Sequence, residues 1–268
     1  MTGATAEAPE ILLRHHLKKL KLPTVLREHE KLARNCAAEN VDHVRYLARL
    51  VELELLDREA RMIDRRVKAA RFPAVKSLES FDFDALPALN RKLVLDLARC
   101  EYVGRCENVV ALGPSGVGKT HVALGLGLAA CQRGVKTRFA TAAAIVHEMI
   151  EARDDKRLLR FQKMLAGYEL LIIDEFGFDR LERQACPEAP QLLYKVIEGR
   201  YGQRTTVLVT NVDFEAWGEY LGDAPLATAF LDRLVDGAII LKIVKARSYR
   251  ANRARRRNVE VGSNETNA

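Results

Sequence analysis

Apolar residues between Val44 and Val67 recur at three- and four-residue steps, at Val44, Leu47, Ala48, Val51, Leu55, Met62, Ile63 and Val67. Arg49, Glu52, Arg58 and Arg65 fall mostly on the other side of that repeat. The spacing predicts one long amphipathic helix. Shorter helices are expected before it, because Pro9 and Pro23 are the main breakers in that stretch. Phe72-Pro73 ends the long helix, since proline pushes its predecessor out of helical geometry. Residues 74–107 read as a connector containing one helix near Leu89–Arg99.

From residue 108 short apolar runs alternate with helix-period segments. Val109–Leu112, Thr137–Ala140, Leu170–Ile173, Val207–Val209 and Ile239–Ile243 are the strand candidates, and 119–131, 142–166, 190–201 and 226–235 read as helices. Strands alternating with helices predict an α/β fold, a parallel sheet with helices on both faces. The expected organisation is a small all-helical N-terminal domain (1–72), a connector (73–107), an α/β domain (108–250) and a basic flexible tail (251–268).

Composition excludes several classes. Hydrophobic residues make up 48% and charged residues 29% of the 268, a globular balance rather than a disordered or fibrous one. No stretch approaches the roughly 20 uninterrupted apolar residues that span a bilayer, so no membrane association is expected. The first twenty residues carry acidic groups and no apolar core ending in small residues, so no secretory leader is expected. Cys36, Cys100, Cys106, Cys131 and Cys186 are widely spaced with no C-x-x-C pair. That argues against a disulfide framework or structural zinc and for reduced thiols in a cytoplasmic protein.

Charge adds a partner. The net charge is +7, distributed as +4 over residues 1–75, −3 over 76–241 and +6 over 242–268. A mildly acidic centre between basic ends suggests a polyanion engaged by those ends, nucleic acid first.

The strongest chemical signal is Gly113-Pro114-Ser115-Gly116-Val117-Gly118-Lys119-Thr120, which matches G-x-x-x-x-G-K-[ST] between a strand and a helix. Its glycines let successive N–H groups face a phosphate, and Lys119 meets the β/γ oxygens. The Thr120 hydroxyl can ligate magnesium. Leu170–Ile173 leads into Asp174-Glu175, two carboxylates at the carboxyl end of a buried strand, where parallel sheets bind ligands. Asp174 would hold magnesium, and Glu175 would take a proton from the water attacking a γ-phosphate. Val207–Val209 leads into Thr210-Asn211, and Asn211 can donate to a γ-phosphate oxygen while accepting from the lytic water. No [NT]-K-x-D is found in the sequence, so guanine recognition has no support.

Residues 72–250 resemble the IstB-like helper ATPases of bacterial insertion sequences, relatives of the DnaC helicase loaders within the AAA+ class. The matching text is Phe81-Asp-Phe, the 113–120 loop with His121-Val-Ala-Leu, Leu170–Glu175 with Phe176-Gly, Trp217-Gly, Leu231-Asp-Arg-Leu and Ser248-Tyr-Arg. The N-terminal helices fit more loosely, and residues 179–190 read as a solvated insert, longer than in shorter members, which gives Arg180 and Arg183 no assigned role. The resemblance implies an AAA+ core with a five-stranded parallel sheet. It makes 113–120 the Walker A loop, Asp174-Glu175 the Walker B pair and Asn211 the first sensor. It also makes Arg233 a finger acting on the adjacent subunit's nucleotide, and Arg250 a second sensor in its own subunit.

The implied activity is hydrolysis of ATP with Mg2+ by a homo-oligomer that assembles on duplex DNA and recruits and stimulates a partner transposase. A helicase loader is the alternative from the same core, distinguished by a preference for single-stranded DNA. A small-molecule kinase would share the 113–120 element but closes an arginine-rich lid over its acceptor. A non-catalytic scaffold would not need Glu175 and Asn211.

Overall fold

The computed structural model describes residues 7–177 and 187–243. Arg180, Arg183, Cys186, Arg250 and the basic tail lie outside the described residues. The chain divides into two compact units, residues 1–65 and 66–268.

The first unit is helical: α1 (Glu7–Lys19), α2 (Pro23–Ala38) and most of α3 (His43–Ala70). Its core is small, with Leu17, Val25 and Leu50 buried and Leu22, Leu26, Leu32 and Tyr46 packed against them. The repeat that predicted α3 is not the face that builds this core. Val44, Leu47, Val51 and Leu55 are exposed, while Leu50 and Glu54 are buried. Glu54 on this face has a partner in α2. Its carboxylate accepts the free N–H groups of Thr24 (2.8 Å) and Val25 (3.1 Å) at the start of α2, where Pro23 opens the helix, and so acts as a cap supplied from another helix.

The second unit holds five parallel strands: β1 (Val109–Leu112), β2 (Thr137–Thr141), β3 (Leu170–Phe176), β4 (Thr205–Thr210) and β5 (Ile239–Lys242). Their order across the sheet is β2-β3-β4-β1-β5. The three central strands, β3, β4 and β1, are buried at nearly every position because both sheet faces are covered. Side chains alternate between faces, as the strand repeat of two requires. Val109, Ala111, Leu170, Ile172, Val207 and Val209 pack with the connector and α6 (Lys119–Gln132). Val110, Leu171, Ile173 and Leu208 pack with α7 (Ala142–Asp154), α9 (Ala189–Glu198), α10 (Trp217–Leu221) and α11 (Ala224–Leu234).

The connector carries α4 (Arg91–Leu97), capped by Asn90, and the single turn α5 (Glu101–Gly104). The segment 142–166 is two helices rather than one. Lys156 adopts φ +57°, and the chain restarts as α8 (Leu158–Ala166). The polar run Asp154-Asp155-Lys156 is exposed, and the turn closes on itself through Arg157 N–H to Ala152 O, 2.6 Å. Among the described residues no helix is long and apolar enough to cross a membrane.

Candidate functional site

Strand order brings the sequence-predicted residues together. β4 lies between β1 and β3, so the 113–120 loop, Asn211 and the Asp174-Glu175 pair leave three adjacent strands at their carboxyl ends. Gly113 N–H donates to the Thr210 carbonyl at 3.3 Å, which ties the start of the loop to the residue before Asn211.

The loop runs into α6 through Gly118, whose φ is +90°. A side chain is strained there, and a Cβ would also meet Phe81 Cε2 at 2.9 Å. Lys119 is buried, and its Nζ donates to the carbonyls of Gly113 (2.7 Å) and Pro114 (2.8 Å). The ammonium therefore sits across the mouth of its own loop. Thr120 is half-buried in the first turn of the helix.

The connector clamps this turn from outside. His121 Nε2 donates to Ser77 O at 2.9 Å, and its ring meets Phe81 edge to face at 5.1 Å. Phe81 and His121 were legible only as part of a family resemblance. Nothing in local spacing joins a connector phenylalanine to a helix start forty residues later.

Asp174 and Glu175 are set apart by a β-bulge. Ile173 pairs with Leu208 and Phe176 with Thr210, so β3 spends one more residue than β4 over the interval. Glu175 takes φ +60°, a left-handed conformation uncommon for a residue with a side chain. Asp174 holds it there: its Oδ1 accepts the Glu175 N–H at 2.8 Å. Asp174 stays buried and Glu175 is exposed. Bulges beside sites re-aim a side chain in this way.

Asn211 is exposed at the end of β4. Its turn is fixed by two side chains. Thr210 Oγ1 accepts the Val212 N–H at 3.1 Å, and Trp217 Nε1 donates to Val212 O at 3.1 Å. Trp217 is fully buried against Phe176 and Phe230. Gly177 (φ +95°) crosses the same turn, where a Cβ would lie 2.4 Å from Val212 Cγ2 and 3.4 Å from Asn211 Oδ1. The acidic pair and Asn211 are thus interlocked.

Arg233 lies elsewhere. It is in the last turn of α11, and the carbonyls of Arg233 and Leu234 accept from Asn108 Nδ2 at 3.4 and 3.2 Å. Asn108 precedes β1, so Arg233 sits at the amino ends of the strands, across the sheet from the phosphate loop.

The metal-binding chemistry available is sparse. Among the described residues no group of three or more His, Cys, Asp or Glu could hold a metal. One hydroxyl and one buried carboxylate suit a hard cation that brings phosphate and water as its other ligands, as magnesium does.

Comparison with known proteins agrees with this geometry. The model of the family described as IstB-like ATP binding protein matches residues 15–257. The insertion sequence IS5376 ATP-binding protein of Geobacillus stearothermophilus is 34% identical over 243 residues, covering 91% of this chain and 95% of that protein. The IS21 counterpart of Pseudomonas aeruginosa is 36% identical over 243 residues, covering 91% and 90%. Among solved structures, AMPPCP-bound DnaA from Aquifex aeolicus superposes with a TM-score of 0.51 at 20% identity, over 64% of this chain and 50% of that one. DnaI gives 0.51 at 15% identity, over 63% and 91%. These two likenesses concern the fold alone, a parallel five-stranded sheet with its phosphate loop after β1. The family match takes in the N-terminal helices as well as the core, and on that ground the chain belongs to the IstB-like ATP-binding proteins of insertion sequences.

Proposed function

We propose that this ATP-binding protein hydrolyses ATP as a switch: nucleotide-bound subunits assemble on duplex target DNA, recruit and stimulate a partner transposase, and hydrolysis resets the assembly. The observation that carries the hydrolytic reading is the bulge in β3, which spends backbone strain to turn Glu175 out of the sheet beside the phosphate loop. A residue whose only task was to end a strand would not need it.

The chemistry follows from the side chains. Lys119 exchanges the Gly113 and Pro114 carbonyls for β- and γ-phosphate oxygens, and the loop N–H groups take the remaining phosphate charge. Thr120 and Asp174 would hold magnesium, which when bound neutralises charge on the phosphates. Glu175 accepts a proton as water attacks the γ-phosphorus and the bond to the bridging oxygen breaks, releasing ADP. Asn211 orients that water. Arg233, remote from its own loop, serves the nucleotide of a neighbouring subunit. The insertion-sequence context of the relatives supports the transposase partner, and the basic ends offer phosphate contacts.

The test compares two variants. Lys119→Ala should lose ATP binding and ATP-dependent DNA binding. Glu175→Gln should bind ATP and persist on DNA with phosphate release reduced by about 10²–10⁴-fold, the usual worth of a general base. Equal loss of ATP binding in both would overturn the division of roles. Under ATP, Glu175→Gln should retain a transposase from the native host, and capture of a replicative helicase instead would favour the loader.

A further inference from the structure

Arg233 is held by an aromatic ring. Its guanidinium carbon lies 4.7 Å from the centroid of Tyr201. Among the described residues it forms no ion pair with a carboxylate. The difference matters for a cation meant to meet phosphate. A carboxylate would occupy its N–H groups and would have to be displaced, whereas a ring takes one flat face and leaves the N–H edge available.

The turn that carries the ring is anchored. Tyr201 follows α9 in a turn whose neighbour, Arg200, is 1% exposed. The Arg200 guanidinium donates to the carbonyls of Leu165 (2.6 Å), Tyr168 (2.8 Å) and Thr205 (2.6 Å) and to Thr206 Oγ1 (3.2 Å). These bonds rivet the turn to the amino ends of β3 and β4. The other arm is tied to the same place. Asn108 accepts the Thr206 N–H at 2.9 Å through Oδ1 while its Nδ2 donates to the last carbonyls of α11. The turn before β4 and the end of α11 are therefore tied to the same amino ends of the sheet, and Tyr201, 45% exposed, stands at the surface with Arg233 over it.

We propose that Tyr201 is a positioning residue for Arg233, orienting its guanidinium outward from the amino edge of the sheet toward the triphosphate bound by an adjacent subunit. This rests on the trans-acting role proposed for Arg233 and assigns Tyr201 no contact with nucleotide.

The experiment measures steady-state ATP hydrolysis of the full chain under assembling conditions for Arg233→Ala, Tyr201→Ala, Tyr201→Leu and Tyr201→Phe, with thermal midpoints recorded alongside. Tyr201→Ala and Tyr201→Leu should lower kcat by roughly ten- to a hundredfold, the scale of a misplaced reacting group, with KM for ATP changed less than about twofold. Tyr201→Phe keeps the ring face and should stay within about twofold of wild type. Leucine supplies apolar bulk without a π-face, so a leucine variant that hydrolyses normally overturns the proposal. So does a phenylalanine variant as slow as alanine, which would mean the hydroxyl is what matters. If Arg233→Ala itself hydrolyses at the wild-type rate, the trans finger fails and the positioning role falls with it. A slow Arg233→Ala beside a normal Tyr201→Ala overturns the positioning role alone. Tyr201→Phe and Tyr201→Leu keep the test open should the alanine variant unfold.

Discussion

Glu175 and Glu54 are two carboxylates whose backbone context decides what they do. Glu175 occupies a left-handed conformation that costs a residue with a Cβ about 1–2 kcal/mol. Glycine adopts it freely, so Glu175→Gly should raise the thermal midpoint of the nucleotide-binding unit while abolishing steady-state phosphate release. A variant both less stable and inactive would count against stored strain at this position. Glu54 is governed by competing effects: burial alone would push its carboxyl up, but the N–H groups of Val25 and Thr24, with Arg58 and Arg61, hold it below the ordinary value of 4.5. A carboxylate with a lowered folded-state pKa stabilises fully above its unfolded value and loses that contribution as pH falls through the folded one. The melting difference between wild type and Glu54→Gln should therefore be widest near neutrality, at about 1–3 kcal/mol for an unpaired buried cap, and should narrow below about pH 4.5. A difference that stays constant down to pH 3 would rule out the ionised cap.

At the scale of elements, the informative unit is the turn after β4 with the two pieces that pin it. Trp217 donates to Val212 O, and Gly177 leaves room for Val212. Trp217→Phe keeps most of the apolar contact but leaves the carbonyl without its indole donor. It should cost about 1–3 kcal/mol of stability and should lower kcat more than it weakens ATP binding, because Asn211 loses its fixed turn. ATP affinity measured by equilibrium titration beside single-turnover hydrolysis separates the two. Element boundaries were well marked in the sequence where apolar runs met turn residues: β1 was expected at Val109–Leu112 and is found there. The break between α7 and α8 was not, because periodicity carries across a single left-handed residue. The apolar repeat of α3 predicted the helix correctly but not its buried face, which carries Leu50 and the Glu54 that caps α2 while Val44, Leu47, Val51 and Leu55 stay exposed.

For the whole molecule, the trans-acting role proposed for Arg233, at the amino edge of the sheet, would make a complete catalytic centre a property of two subunits. Arg233→Ala should bind ATP normally and hydrolyse it slowly, and mixing it with Lys119→Ala should restore part of the rate. A lysine-deficient subunit still offers its arginine to a neighbour that binds ATP. Failure to complement, in mixed assemblies verified by labelling, would argue for action within one chain. A second expectation concerns DNA. Replacing Arg253, Arg255, Arg256 and Arg257, outside the described residues, with alanine should leave DNA-free hydrolysis intact and weaken duplex binding alike across sequences. The salt dependence should flatten by up to about three to four units in slope if every arginine meets a phosphate. An unchanged slope would transfer the role to Lys18, Lys19, Lys21 and Arg27 of the N-terminal unit.

The sequence alone determined which segments form the candidate site: the phosphate loop, the acidic pair and Asn211 are short, contiguous and bounded by strand runs, so residue type and spacing suffice to pick them out. It also determined the parallel α/β class, because near-continuous apolar strands between helical segments have one economical way to be buried. Tertiary structure decided the rest. Insertion of β4 between β1 and β3 gathers the site, the bulge at Glu175 aims its carboxylate, and Phe81, Gly177 and Trp217 hold the surrounding turns. Placement of Arg233 against Tyr201 at the opposite sheet edge is likewise invisible in one dimension. Each of these depends on contacts between residues tens of positions apart, and such contacts are selected by packing of the whole sheet rather than by any local preference of the chain.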